Sequence, residues 1–371
     1  MSLSAADLLA GPRGRRLCLE MMLALHGDDT DATEALGTAV FYAAYDLDPG
    51  RGTSVVLFGP GEDERTGPPP APAPQEVARL MDVVPLPPID ESTLLLALAT
   101  VVDNARYWQE PSGADVLAGT PEVRAALARV ADAIASAPGG TRWAEPMDPR
   151  GQWAVTFADL PDIPPPPMRT ARDILDRWQA LHLEDEAAAQ HDRPADPAAM
   201  FSGTWWSRPA LGLLSTTRAL PGHGPMGLRF VEDGLGWESA TVEQVRVPRD
   251  ARVFEIDGPD AWAELARRYP VRATASRRHD WYRATGRAGA WVIPDWSLVR
   301  HDFDAVHLTT AGYLTTAGAD IPIDSERATV LAGWDPDATY WLRDLDRAVG
   351  TRAHWRLDPA DDAWKPSADV V

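Results

Sequence analysis

Four side chains that are capable of acid–base chemistry lie within seven positions of the chain. They are His301, Asp302, Asp304 and His307. Residues 304–309 alternate polar and apolar side chains, which predicts a β-strand with one face buried. A histidine beside a carboxylate is a common arrangement of a general base and the group that orients it. One hypothesis is therefore an enzyme in which His307 or His301 is the base and Asp302 or Asp304 orients it.

The same cluster contains side chains that bind zinc in other proteins. A strand and the turn before it can bring His301, Asp304 and His307 together, and zinc is held by such nitrogen and oxygen ligands. No fourth ligand stands at a diagnostic spacing, since His182 and His191 are nine residues apart across a charged run. We therefore expect no metal site.

Hydroxyl and aromatic side chains are concentrated on two short segments of the second half. They are Trp205, Trp206 and Ser207 on the first segment, and Ser215, Thr216 and Thr217 on the second. Small hydroxyl residues at a strand end let a ribose or a phosphate approach, and aromatic faces can hold a planar ring. Threonine and tryptophan are also ordinary strand formers, so a sheet without a ligand explains the same residues.

The signatures of the common nucleotide, metal and hydrolase sites do not occur. The chain has no GxGxxG that opens a helix after a strand, no GxxxxGK[ST], no HExxH, no CxxC and no GxSxG. These absences exclude the usual motif-based assignments to a Rossmann, P-loop, zinc-protease or α/β-hydrolase site.

The second hydroxyl segment resembles the middle strand of the ADP-ribosyltransferase fold. Leu214-Ser215-Thr216-Thr217 is similar to the Ser-Thr-Ser element of that family. The resemblance implies NAD as a substrate, no required cofactor, and nicotinamide flanked by the tryptophans. It also implies a late acidic residue, a role that falls to Asp304 or Glu238, with His307 as a polar neighbour. The chain departs from the family pattern because its first strand has no Arg or His before Arg208 and no ExE stands in a late strand.

If NAD is the substrate, the reaction passes through an oxocarbenium-like ribose cation as nicotinamide departs. A carboxylate near the ribose stabilises that charge, and tryptophan faces hold the leaving ring. The hypothesis therefore covers both an ADP-ribosyltransferase and an NAD glycohydrolase.

Longer segments in both halves resemble a family of actinobacterial proteins. They include RYWQEP, HDWYRATGR, VIPDW and AGWDPDATYWL. This resemblance implies one full-length folded unit and points to no particular activity. The alternative to an enzyme is a cytoplasmic regulator or adaptor, in which the tryptophan-rich half supplies a core and a surface for a basic protein partner.

Composition narrows the classes of partner. The 371 residues include 55 Asp and Glu against 35 Lys and Arg, a formal net charge of -20. This sign disfavours binding to nucleic acid or to an anionic membrane, which leaves a small molecule or a protein as the expected partner. The single cysteine, Cys18, excludes an intrachain disulfide and fits a reducing compartment. Because no secretory signal or membrane span is recognisable, we expect a soluble, cytoplasmic protein.

The pattern of elements changes near residue 200. We predict an α+β fold in which a mainly helical domain, 1–199, packs on a domain with a mixed or antiparallel sheet, 200–371. Predicted helices of the first domain lie at 4–26, 33–45, 89–108, 121–137 and 170–190, with strands at 53–58 and 152–157 and polyproline at 161–167. The second domain is predicted to have strands at 200–206, 211–217, 227–231, 241–247, 251–256, 304–309, 329–332 and 338–342, a helix at 259–269, and a basic loop around 277–287. Eleven of the fifteen tryptophans follow residue 200.

Overall fold

Helices fill the first part of the chain and strands dominate the second, so the predicted α+β class is confirmed. The computed structural model describes residues 3–24, 31–51, 70–157, 170–346, 348 and 351–367. The predicted strand at 53–58 and the polyproline segment at 161–167 lie outside the described residues.

Helices form most of the described first part of the chain. They are α1 (Ala5–Ala10), α2 (Pro12–Ala24), α3 (Asp31–Leu47), α4 (Pro74–Val83), α5 (Glu91–Asp103), α6 (Gly113–Gly119), α7 (Pro121–Ala126), α8 (Ala128–Ser136), α9 (Pro138–Arg142) and α10 (Ala171–Asp192). Ser4 forms a capping box at the start of α1, and Thr170 forms another at the start of α10. Asp90 caps α5. Within the described residues, no helix has both the length and the apolar content needed to cross a bilayer.

The second part is built on two sheets. In chain order the strands are β1 (Gln152–Phe157), β2 (Ser215–Leu220), β3 (Gly224–Pro225), β4 (Ser239–Gln244), β5 (Val253–Ile256), β6 (Pro270–Arg272), β7 (Ala290–Pro294), β8 (Ala305–Leu308), β9 (Ile321–Pro322), β10 (Arg327–Thr329), β11 (Thr339–Trp341), β12 (Ala353–Asp358) and β13 (Ala363–Pro366). The larger sheet has the order β13-β12-β4-β1-β2-β11-β8-β5, with β3 paired to β2. Its strands pair antiparallel except for β5 and β8, which are parallel. The smaller sheet has the order β6-β7-β10-β9.

Four helices pack around these sheets. They are α11 (Pro259–Arg268), α12 (Thr274–Thr285), α13 (Trp296–Val299) and α14 (Thr310–Thr316). Gly258 and Pro259 predicted the start of α11. Gly258 is the residue before the helix, and Pro259 occupies its first turn. β8 is buried at all four positions, because it lies inside the sheet between β11 and β5 and is covered on both faces. The prediction that only one face of this strand is buried was therefore wrong.

The largest hydrophobic core cluster contains residues of both the first part of the chain and the second. It contains Leu17 and Leu98 together with Trp262 and Trp334, and α14 packs against both α1 and α2. β1 pairs with β2 and β4, which follow residue 200. A boundary at residue 199 would divide both the core and the sheet, and the two-domain division stays a prediction about folding units. Six tryptophans are fully buried, namely Trp262, Trp281, Trp291, Trp296, Trp334 and Trp341.

Two strands predicted between residues 200 and 231 were wrong, each for a different local reason. Residues 200–206 form no strand. The Trp205 carbonyl accepts a hydrogen bond from the Trp281 indole, and the Trp206 carbonyl accepts one from Arg277. The predicted strand at 227–231 is also absent, since a 3-10 turn covers Met226–Leu228. The basic segment near Arg277 is the helix α12 and not a solvated loop, and Arg277 itself is buried.

The hairpin after β2 contains three glycines at GxGxxG spacing, Gly222, Gly224 and Gly227. Gly222 and Gly224 have φ values of 80° and 76°, which suit the turn between β2 and β3. No α-helix begins there, because Met226–Leu228 is a single 3-10 turn. This spacing therefore serves the hairpin and does not form a dinucleotide-binding loop.

Candidate functional site

Strand β2 carries the hydroxyl side chains of the candidate site. Its two faces contact different polar groups. Ser215 is paired with Tyr340, and Thr216 is paired with Thr339 on the neighbouring strand β11. Alternate residues of a strand point to opposite faces, so Ser215 and Thr217 share one face and Thr216 faces the other way. The Thr216 hydroxyl is satisfied within the protein, since it donates to Gln152 and accepts from the Trp341 indole. The face that carries Ser215 and Thr217 borders a cavity.

This cavity, which we call the hydroxyl cavity, has a volume of about 190 Å³. Its polar lining consists of Arg208, Ser215, Thr216, Thr217, Asp335 and Tyr340. Arg208 Nη1 donates to Tyr340 Oη at 3.0 Å, and the Gly227 backbone N–H donates to Thr217 Oγ1 at 3.0 Å. The hydroxyl hydrogens of Tyr340 and Thr217 therefore remain free to donate to a ligand.

Asp335 is the acidic side chain of the hydroxyl cavity. Its Oδ1 accepts a hydrogen bond from the Glu232 backbone N–H at 2.8 Å. Burial raises the pKa of Asp335 to about 6, although this hydrogen bond and the charge of Arg208 both favour the ionised form. Burial also raises the pKa of Tyr340, so the phenol stays protonated near neutral pH. At pH 7 the cavity therefore presents a carboxylate, a guanidinium and neutral hydroxyls.

Aromatic side chains form another wall of the hydroxyl cavity. Trp153 and Phe157 come from β1, and the Phe157 ring stacks on Trp237 with centroids 4.4 Å apart and an interplanar angle of 11°. Stacking on Trp237 holds the Phe157 ring in a fixed orientation, which suits contact with another flat ring. The sequence reading did not identify Trp153, Phe157 or Asp335, although Asp335 falls in the quoted segment AGWDPDATYWL.

The predicted ring-binding residues of the first segment lie elsewhere. The Trp205 ring packs against Tyr107 and Trp108 of the helical part. Trp206 contacts Trp205 edge-on, and Ser207 is buried and exchanges hydrogen bonds with the backbone of Ala332. None of these three side chains lines the hydroxyl cavity. Of the predicted ligand-binding set, Ser215, Thr216 and Thr217 line it together.

The predicted acidic residues also lie outside the hydroxyl cavity. Asp304 precedes β8 and is paired with Arg252 and Arg343. Partial burial would raise the pKa of Asp304, but hydrogen bonds from Arg252 outweigh it and lower the pKa. Glu238 is exposed just before β4, and its carbonyl accepts a hydrogen bond from the Leu357 backbone.

His307 is fully buried between two carboxylates. Its Nδ1 lies 2.5 Å from Glu255 Oε2, and its Nε2 lies 3.3 Å from Asp337 Oδ1. Burial alone would lower the pKa of His307, but hydrogen bonds with Asp337 and Glu255 raise it to about 9. The ring is therefore a protonated imidazolium at neutral pH and cannot accept a proton as a general base.

Asp337 extends this ionic cluster to β2. Its carboxylate accepts hydrogen bonds from the Arg218 backbone N–H at 2.9 Å and from Arg218 Nε at 2.5 Å. Arg218 in turn donates to the Glu145 side chain and to the carbonyl of Pro146. Asp337 has a φ of 60°, an uncommon value for a residue other than glycine. The cluster ties β8, β11 and β2 together.

A second cavity of about 270 Å³ lies where the helical part meets the end of β2. Its charged lining includes Glu91, Arg142, Glu145, Asp148 and Arg218. Each arginine is already paired, Arg142 with Glu91 and Arg218 with Glu145 and Asp337. Both arginines of this cavity are therefore engaged by carboxylates of the protein.

The zinc ligands considered from the sequence do not converge. His301 is exposed, Asp304 pairs with Arg252, and His307 is enclosed by Glu255 and Asp337. Among the described residues, no group of three or more His, Cys, Asp or Glu side chains has a metal-binding arrangement.

No protein-family model, no curated protein and no solved structure matches the chain. The resemblances to ADP-ribosyltransferases and to actinobacterial proteins therefore stay predictions. Function has to be inferred from the side chains that meet in the cavities.

Proposed function

We propose that the protein is an NAD-using enzyme that breaks the bond between ribose and nicotinamide, as an ADP-ribosyltransferase or an NAD glycohydrolase. The observation that carries this proposal is the lining of the hydroxyl cavity. There the hydroxyls of β2, the Arg208 guanidinium, the Asp335 carboxyl and an aromatic wall surround one space. Hydroxyls and a guanidinium suit a sugar phosphate, and aromatic rings suit nicotinamide.

The volume of the hydroxyl cavity suits the nicotinamide end of NAD and not the whole dinucleotide. Sites for drug-sized ligands are roughly 300–1,000 Å³, whereas the hydroxyl cavity has about 190 Å³. A space of this size suits the nicotinamide ring with its ribose, and the rest of NAD extends past the rim. The planar ring lies against Trp153 or Phe157, and the ribose hydroxyls bond to Ser215 and Thr217.

In this proposal Asp335 is the late acidic residue, the role that the family resemblance assigned to Asp304 or Glu238. As the C1′–N bond breaks, its electron pair leaves with the ring nitrogen and neutralises the pyridinium. The Asp335 carboxylate stabilises the cation that develops on the ribose. Water or an acceptor nucleophile then bonds to C1′ and releases a proton to solvent. Because the pKa of Asp335 is about 6, the reaction requires a pH above that value.

Nicotinamide release from NAD tests this proposal. The Asp335→Asn variant keeps the shape of the side chain but cannot become an anion, so we expect its rate to fall by about 100-fold or more. Asp304→Asn is the matched control and should retain the wild-type rate, because Asp304 lies outside the cavity. Equal loss in both variants, or no release by the wild-type protein, would contradict the proposal.

Exposed apolar side chains favour a second candidate, a regulator or adaptor that binds a protein. Leu211, at the rim of the hydroxyl cavity, is 65% exposed, and Leu235 is 70% exposed. Exposed apolar groups are typical of partner-binding surfaces when they are contiguous. A stoichiometric protein partner from the native host, together with no binding of NAD, would favour this candidate. We infer a cytoplasmic location for either candidate, since the lone cysteine fits a reducing compartment.

A further inference from the structure

A buried polar cluster lies directly behind Asp335 and joins the sheet to the helical part. Glu232 is 8% exposed, and its Oε1 accepts a hydrogen bond from Tyr107 Oη at 2.6 Å. Among the residues that the structure describes, neither its other carboxyl oxygen, Oε2, nor the buried Tyr313 Oη has a hydrogen-bond partner. Arg13 pairs with Asp115 through Nη2, while its Nε and Nη1 are unpartnered.

Glu232 forms hydrogen bonds with both Asp335 and the helical part of the protein. Its backbone N–H donates to Asp335 Oδ1 at 2.8 Å, and its side chain is held by Tyr107, which follows α5 in the helical part. A change in the position of the Glu232 side chain is therefore transmitted to a backbone donor that orients Asp335. Val231, the preceding residue, lines the hydroxyl cavity itself.

We propose that Glu232 is a positioning residue for Asp335, and that Tyr107 makes the geometry of the hydroxyl cavity depend on the helical part of the protein. The inference rests on the proposed function, because it is the reaction that requires Asp335 to be held in place. Neither Glu232 nor Tyr107 contacts the substrate in this scheme.

The charges around Glu232 make the proposed link between Glu232 and Asp335 measurable as a dependence of activity on pH. Burial raises the pKa of Glu232 to about 7, and the negative charge of Asp335 acts in the same direction. The hydrogen bond from Tyr107 and the charge of Arg13 act in the opposite direction. Glu232 and Asp335 therefore ionise as a coupled pair near neutral pH. The activity should respond to both events, because each changes the electrostatic surroundings of the same backbone contact.

The pH profile of nicotinamide release tests the coupling. For the wild-type protein we expect ionisation of the coupled Asp335–Glu232 pair to give two steps in the range of about pH 6 to about pH 7. Glu232→Gln should keep the first step and lose the second. Tyr107→Phe should move the second step upward by about one pH unit, because it removes a hydrogen bond that favours the ionised carboxylate. Tyr282→Phe, in α12, is the matched control and should leave both steps in place.

Two outcomes separate the inference from the function it rests on. If the wild-type protein releases nicotinamide but shows a single step, or if Glu232→Gln keeps both steps, Glu232 does not act through Asp335 and the inference is overturned. If the wild-type protein releases no nicotinamide at any pH, the proposed function itself fails. Loss of the second step in Glu232→Gln and its displacement in Tyr107→Phe, with the Tyr282→Phe profile unchanged, would establish the coupling.

Discussion

His307 illustrates how burial converts a typical catalytic residue into a structural one. The side chain is 0% exposed, and both ring nitrogens are engaged by carboxylates. Its pKa is raised from 6.5 to about 9, so the folded state binds its proton more tightly than the unfolded chain does. The stabilisation linked to this proton is complete below pH 6.5 and is lost as the pH rises through 9.

We predict that His307→Gln lowers the free energy of unfolding by about 3 kcal/mol at pH 6, because it removes the buried cation that lies between Glu255 and Asp337. The difference from the wild-type protein should shrink as the pH rises towards 10. Denaturant unfolding at several pH values measures this, with exposed His301→Gln as the control. A His307→Gln effect that is independent of pH would show that the imidazolium is not the stabilising species.

The acidic residues show which part of the site could be predicted from the sequence. The hydroxyl strand was identified, since three hydroxyl residues in succession are visible in one dimension. Asp304 or Glu238 was predicted as the late acidic residue, and Asp335 was not identified. The fold instead pairs Asp304 with Arg252 and brings Asp335 to the cavity through the turn before β11. Proximity along the chain says little about proximity across a sheet whose strands are distant in sequence.

At the scale of elements, capping and proline signals were more informative than strand patterns. Asp90, Thr170 and Pro259 each mark a helix start that the structure confirms. Strand positions around 200–231 were wrong because long-range contacts replace local propensity there. Gly212, with a φ of 94°, turns the chain before β2. The hydroxyl residues therefore open this strand, whereas the sequence pattern indicated that they end it.

Close packing of α14 on β5 gives a prediction at this scale. A Cβ atom at Gly312 would lie 2.1 Å from the Ile256 carbonyl oxygen, so Gly312→Ala must displace the helix from the strand. We expect a loss of about 2 kcal/mol of stability. Gly37→Ala, in α3, is the matched control, because nothing lies within 4 Å of its Cβ position. That variant should gain roughly 0.5–1 kcal/mol, and thermal or denaturant unfolding measures both.

At the scale of the whole molecule, the shared core predicts one cooperative folding unit. Residues 1–199 include β1, which pairs with β2 and β4, and α2, which packs on α14. We expect the full chain to unfold in a single transition, and each of the fragments 1–199 and 200–371 to lack a cooperative transition when expressed alone. Circular dichroism during heating measures this. A fragment 1–199 that unfolds cooperatively would instead support two independent domains.

The amino-acid composition indicated how the core packs better than it indicated which aromatic residues line the hydroxyl cavity. Trp enrichment after residue 200 largely reflects packing, since six of these side chains are fully buried. Trp153 and Phe157 precede residue 200 and yet line the hydroxyl cavity. The pairing of β1 with β2 brings these rings beside Ser215 and Thr217, and no periodicity in the sequence encodes that pairing.

Calorimetric titration with NAD tests the central claim most directly, because it measures occupancy of the hydroxyl cavity without requiring turnover. We predict saturable binding to the wild-type protein and to Asp304→Asn. The double variant Ser215→Ala, Thr217→Val should bind at least about tenfold more weakly, a loss of about 1.4 kcal/mol. A flat titration of the wild-type protein at millimolar NAD, or equal affinity for the wild-type protein and the double variant, would contradict the account.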